Sequence, residues 1–174
     1  MPAQSQANTT KVAFSAAAQK RAEALFARYP KKVHALLPLL HLAQEENGGW
    51  LPPGWEDYIA DLTDTTVTHV RGVVTFYNMF TTNPVGKNRI EVCTCVPCGL
   101  CGGAEVLEHI EHKLGVGPGG TTEDGVFTLS EEQCLAICDK APFIRINGNL
   151  HAKVSLKDVD QLLEDARKGK SGGK

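Results

Sequence analysis

Six cysteines carry the chemistry this chain can do: Cys93, Cys95, Cys98, Cys101, Cys134 and Cys138, with none elsewhere in its 174 residues. Thiolates are soft ligands suited to zinc or to iron–sulfur centres, so the pattern predicts a metal centre held by four of the six. Cys93 and Cys98 enclose Thr94, Cys95, Val96 and Pro97, whereas Cys134 and Cys138 enclose Leu135, Ala136 and Ile137. Two separated pairs converge on one centre only if the chain between them folds back, and that interval is long enough for a helix and a strand. Other chemistries fit less well. Disulfides suit short secreted scaffolds, and this chain is long and shows no secretory leader. Zinc accounts for the Cys-x-x-Cys of Cys95 and Cys98, and again of Cys98 and Cys101. A zinc knuckle usually repeats that spacing in its second pair, however, and here the second pair is Cys-x-x-x-Cys. A redox dithiol would use one Cys-x-x-Cys and leave Cys134 and Cys138 without a role.

The elements that must position these thiols are legible from periodicity. Arg89 to Thr94 alternates as a strand, and Gly102 to Leu114 reads as a helix. Val126 to Leu129 is a second strand, and Phe143 to Ile146 and Leu150 to Val154 flank a hairpin turn at Asn147-Gly148-Asn149. Ser155 caps a last amphipathic helix carrying Val159, Leu162 and Leu163. Gly99, Gly102 and Gly103 suit a tight loop that brings backbone close to a metal centre and starts a helix beneath it.

Ahead of this lies a helical region. Ser15 to Arg28 has the spacing of a first helix, stopped at Tyr29-Pro30. Lys32 to Glu46 reads as a second, with Val33, Leu36, Leu37, Leu40 and Ala43 on one side and Pro38 expected to bend it. A third spans Trp55 to Leu62, and Thr65 or Thr66 caps a fourth that ends near Gly72. Leucine stripes of this kind are packing surfaces, and Trp50 and Trp55 read the same way. Val73 to Phe80 then reads as an unusually apolar connector.

The net charge is −2 and the isoelectric point about 6.3, which excludes the basic face of a nucleic-acid binder. The most apolar stretch, Val33 to Ala43, contains His34, Pro38 and His41 and falls short of the roughly 20 residues of a membrane span. His109 and His112 lie on a helix face alternating with Glu108 and Glu111 and read as solvated. The Gly115 to Gly120 stretch lacks the Lys-Ser/Thr of a phosphate loop, and no dinucleotide fingerprint or nucleophile–base pair is present.

Several motifs in order carry a resemblance. They are Gly72-Val73-Val74-Thr75-Phe76-Tyr77, Pro84-Val85-Gly86-Lys87, and Val92-Cys93-Thr94 with Cys98, Leu100 and Gly102. Cys134-Leu135-Ala136-Ile137-Cys138 and Ala141-Pro142 follow. Together they resemble the thioredoxin-like 2Fe-2S ferredoxin subunit of respiratory complex I, the E-type small subunit family of NADH:quinone oxidoreductase, from about Phe14 to about Ala166. The resemblance implies an α+β chain, an N-terminal helical bundle followed by a thioredoxin-like α/β domain carrying a 2Fe-2S cluster. The strand, helix, strand, hairpin, helix order agrees.

The expected organisation is a leader over 1–13, a helical domain over 14–80, a ferredoxin domain over 81–168 and a tail over 169–174. By resemblance the cluster ligands are Cys93, Cys98, Cys134 and Cys138. Spacing by itself also fits a plant-type set in which Cys101 is the third ligand and Cys138 is free, and both Cys95 and Cys101 lie near enough in sequence to replace a lost ligand. The implied role is one-electron transfer at low potential, about −400 mV for plant-type ferredoxins, tuned by burial, charge and backbone N–H groups aimed at sulfur.

The implied partners are the NADH-binding flavoprotein subunit, approached through the helical part and the Val73 to Phe80 run, and other peripheral-arm subunits. No catalysis is expected from the isolated chain. The expected location is cytoplasmic, at the inner membrane only through the complex. NAD-dependent formate dehydrogenases and bidirectional hydrogenases contain close relatives and are alternative assemblies.

Overall fold

The computed structural model describes residues 12–169, so most of the expected leader and tail lies outside the described residues. The chain divides into two units between Pro84 and Val85.

In the first unit, Ser15 starts helix α1 (Ala16–Phe26) by accepting a hydrogen bond from the Ala18 N–H at 3.3 Å, satisfying one of the donors a helix start leaves unpaired. The second helix differs from the sequence expectation. Lys32–Ala35 forms a 3-10 turn, and α2 is Leu36–Glu46. Pro38 therefore falls in the first turn of α2, where its missing N–H has no intrahelical partner to lose, and not in the middle of one long bent helix. Leu36, Leu39, Leu40 and Ala43 are buried along one face of α2. Each leucine removed from water in this way contributes roughly 1.5–3 kcal/mol.

Helix α3 (Trp55–Thr63) begins after Gly54, whose φ of +94° a β-carbon would strain, and buries Trp55, Ile59 and Ala60. Trp55 packs on Phe14 with ring centroids 5.0 Å apart. Helix α4 (Val67–Phe76) is capped by Thr66, whose hydroxyl accepts from the His69 N–H. It does not end near Gly72. Burial of Val70 and Val74 on either side carries the helix through that glycine despite a propensity penalty of about 1 kcal/mol. The apolar run from Val73 is consequently not a connector. Its first residues are the last turn of α4, and Phe80 is buried in the core of the same unit.

The second unit is a four-stranded mixed sheet in the order β2-β1-β3-β4, from β1 (Asn88–Cys93), β2 (Phe127–Glu132), β3 (Phe143–Ile146) and β4 (Asn149–Ala152). Strands β1 and β2 run parallel, and β1–β3 and β3–β4 antiparallel. Asn147 and Gly148 turn the hairpin with φ of +50° and +82°, the two-residue geometry that Asn-Gly favours. Helices α6 (Gly103–Leu114) and α7 (Leu156–Arg167) cover one face, setting Val106, Ile110, Val159 and Leu163 against Ile90, Val92, Leu129 and Ile144.

Because strand side chains alternate, Glu91 projects from the other face. There Arg145 grips its carboxylate with two nitrogens, the Nη2 bond being 2.6 Å, and Arg89 approaches to 3.5 Å. A short helix that periodicity does not predict, α5 (Val96–Leu100), lies between β1 and α6.

Candidate metal centre

Parallel pairing of β1 and β2 brings their C-terminal ends together, with Cys93 opposite Glu132 in the register. Cys93 is the last residue of β1. The chain then turns into α5, which carries Cys98, while Cys134 follows β2 and Cys138 opens a 3-10 turn, Cys138–Lys140. Cysteines widely separated in sequence thus reach one end of one sheet. In open α/β sheets this is the end where ligands bind.

Gly103 makes the turn possible. An added β-carbon there would lie 2.8 Å from the Cys98 carbonyl oxygen and 3.1 Å from that of Cys93. Both are backbone atoms, so α6 can lie this close only with glycine at its start. The expected special role extends less well to Gly99, where a β-carbon would meet nothing nearer than the Thr94 oxygen at 3.9 Å.

The sulfurs form two groups. Cys93, Cys95 and Cys98 lie within 4.8 Å of one another, and so do Cys95, Cys134 and Cys138. Cys95 belongs to both, with its sulfur 3.5 Å from that of Cys93. Cys101 belongs to neither and is exposed, so proximity along the chain does not place it beside the other thiols. Cys93 and Cys98 are buried, Cys95 is half-buried, and Cys134 and Cys138 are exposed.

Backbone donors are aimed at these sulfurs. The N–H groups of Cys95 and Leu135 point to Cys93, and the Ala136 N–H donates to the Cys134 sulfur at 3.3 Å. Burial opposes ionisation of Cys93, yet the Cys95 and Leu135 N–H groups together with the Cys95 and Cys98 thiols bring its pKa below the usual thiol value. Its neighbour Cys98 is pushed up to about 12, by burial first and then by the Cys93 sulfur. Cys138 is also raised, by desolvation of its sulfur and by the adjacent Cys95 and Cys134, although the residue as a whole is exposed. A metal must displace the protons held here, and its binding releases them. The N–H group of Leu135, which links the second cysteine loop to the first, is a participant with no signal in the sequence.

The donor set tests which metal fits. Both groups consist of cysteines alone, the preference of zinc and of iron–sulfur centres. Four thiolates on one zinc ion lie about 3.8 Å apart in every combination, given Zn–S bonds of about 2.3 Å. Among the described residues no mutually close group contains Cys93, Cys98, Cys134 and Cys138 together. Two separate pairs fit a two-iron centre better than one ion.

A family model described as thioredoxin-like [2Fe-2S] ferredoxin matches residues 22–167. The chain belongs to that family. Among the relatives of this thioredoxin-like ferredoxin is a Rickettsia felis protein named as the E-type subunit of NADH-quinone oxidoreductase. It is 40% identical over 146 residues, covering 83% of this chain and 87% of the relative. The Rickettsia typhi protein of the same name is 39% identical over 163 residues, covering 90% and 96%.

A chain in the crystal structure of an NAD+-reducing [NiFe]-hydrogenase in the air-oxidized state shares the fold, with a TM-score of 0.66 at 20% identity. The match covers 77% of this ferredoxin and 23% of that chain. The expected α+β architecture and the 2Fe-2S cofactor are therefore those of the family. Among the described residues no helix is long and apolar enough to cross a membrane.

His112 is exposed, as a solvated helix face requires, but His109 is half-buried: its Nε2 lies 2.7 Å from Asp160 on α7, and Lys113 reaches the same carboxylate oxygen at 3.2 Å. Packing of α7 against α6 makes this contact, which periodicity within one helix does not reveal.

Proposed function

We propose that this chain is the electron-transfer subunit of an NADH-quinone oxidoreductase, with Cys93, Cys98, Cys134 and Cys138 holding one 2Fe-2S cluster. The observation that carries the reading is identity of about 40% with proteins named as the E-type subunit of that oxidoreductase, across more than four-fifths of both chains. The hydrogenase chain shares the fold at 20% identity, so the quinone-linked enzyme is the better-supported assembly.

When bound, the cluster supplies reversible one-electron transfer. The chain's own residues set the conditions for it. Cys93 and Cys98 hold the buried side of the centre, and Cys134 and Cys138 hold the exposed side, which makes the second pair the natural approach for an electron donor or acceptor. The N–H groups of Cys95, Leu135 and Ala136 stabilise negative charge on sulfur, the lever by which a protein raises a cluster's potential. The redox partner in this reading is the flavin of an adjacent NADH-binding subunit, and the membrane is reached through the complex alone.

Iron and acid-labile sulfide analysis of the purified full chain tests the centre. About two irons and two sulfides per chain, with a red-brown colour bleached by dithionite, are expected. A colourless protein carrying stoichiometric zinc would refute the reading.

A further inference from the structure

We propose that Cys95 is a reserve ligand serving both thiol pairs, able to replace any one of Cys93, Cys98, Cys134 or Cys138. Cys101 does not share the role. The inference rests on the four-cysteine cluster reading above and extends it to a fifth thiol.

Three observations converge on Cys95. It is the shared member of the two sulfur groups, within 4.8 Å of every other thiol in each. Its sulfur is not taken up in capping α5, at whose N-cap position Cys95 sits, and its hydrogen bond is to the Cys93 thiol, at 3.5 Å. It also lies between a buried pair and an exposed one. The exposed thiols Cys134 and Cys138 are the ones open to oxidation or alkylation, and a half-buried neighbour within reach of both can take over when either is lost.

The exchange balances without an oxidant or reductant. The bond from iron to the departing sulfur breaks and that sulfur takes up a proton. The Cys95 thiol gives up a proton as its sulfur bonds to the same iron, leaving the oxidation states unchanged. When the departing residue has been oxidised, alkylated or replaced by alanine, the Cys95 proton goes to solvent. Cys101 is exposed and outside both groups, so it lacks the position for this.

The test uses the full chain reconstituted with iron and sulfide under argon, read by iron content, visible absorption and resonance Raman Fe–S bands. Cys95→Ala is expected to keep its full iron content. Cys134→Ala and Cys138→Ala are each expected to keep iron with shifted Fe–S bands, and to lose it when Cys95→Ala is added but not when Cys101→Ala is added. Far-UV circular dichroism of each variant separates loss of cluster from loss of fold, and either the Cys134 or the Cys138 arm decides the matter if the other does not fold. If Cys95→Ala alone strips the cluster, the four-cysteine ligand set fails and the proposal with it. If Cys95→Ala is intact but both the Cys134 and Cys138 variants are empty, or keep their iron after Cys95 is also removed, the reserve role is overturned without touching the iron–sulfur reading.

Discussion

Replacing Gly103 with alanine puts a methyl group 2.8 Å from the Cys98 carbonyl oxygen, 2.9 Å from its carbon and 3.1 Å from the Cys93 oxygen. The shortest of these is about 0.6 Å inside ordinary van der Waals contact. All three partners are backbone atoms of two buried cysteines, so relief requires moving Cys93 or Cys98. Gly103 opens a regular helix, so the constraint is steric. Overpacking of this kind costs about 1–3 kcal/mol. If the strain is released when the site opens, bleaching of the visible absorption in urea accelerates about 5- to 150-fold.

Gly99→Ala is the matched control. It lies in α5 one turn earlier, its β-carbon would meet nothing closer than 3.9 Å, and alanine is the better helix former by about 1 kcal/mol, so bleaching should be unchanged or slower. Stopped-flow absorbance on the two reconstituted variants provides the comparison. Bleaching rates for Gly103→Ala within about twofold of those for Gly99→Ala would refute the claim that backbone proximity at Gly103 shapes the site.

Ala136, between Cys134 and Cys138, has a φ of +64°, a conformation costing a non-glycine residue roughly 1–2 kcal/mol. Ala136→Gly should therefore slow bleaching by up to about fivefold after the entropy lost to glycine is subtracted, and faster bleaching would contradict the strain. Arg145→Met leaves the Glu91 carboxylate, only 6% exposed, with the single 3.5 Å approach of Arg89. With Arg145 itself about a third exposed, screening reduces the expected loss to roughly 2–3 kcal/mol. Thermal unfolding followed by circular dichroism measures it, and Glu91→Gln in the same chain should recover part of the loss. The Ser155 hydroxyl and then its backbone N–H hold the Asp158 carboxyl below its ordinary value of 3.8. The folded value is the lower one, so this capping box stabilises α7 fully above pH 3.8 and loses that contribution as pH falls through the folded value. Ser155→Ala should move the Asp158 titration upward in carbon-detected NMR, and an unmoved titration would contradict the assigned cause. Finally, the chain should co-elute with its cognate NADH-binding flavoprotein at micromolar concentration and show no NADH oxidation alone. Separate elution, or flavin-independent turnover by the pure chain, would count against the proposed partnership.

Local features were legible in the sequence because their causes are local. Ser15, Thr66 and Ser155 cap helices as expected since a side-chain oxygen need reach only the N–H three residues on. The Asn147-Gly148 hairpin follows from the φ values its two residues tolerate. Where packing competes with local preference, periodicity misleads. Buried Val70 and Val74 carry α4 past Gly72. Pairing with β1 extends β2 from Leu129 to Glu132, through polar residues that lack an apolar alternation. The sequence by itself determined that six cysteines fall into a first cluster and a distant pair, and that thiolate chemistry follows. Only the tertiary structure decided which sulfurs are neighbours. That choice depends on the parallel register setting Cys93 opposite Glu132 and on the close approach at Gly103. Both are contacts between residues far apart along the chain or across a turn, and they gather Cys95 into both thiol groups while leaving Cys101 outside.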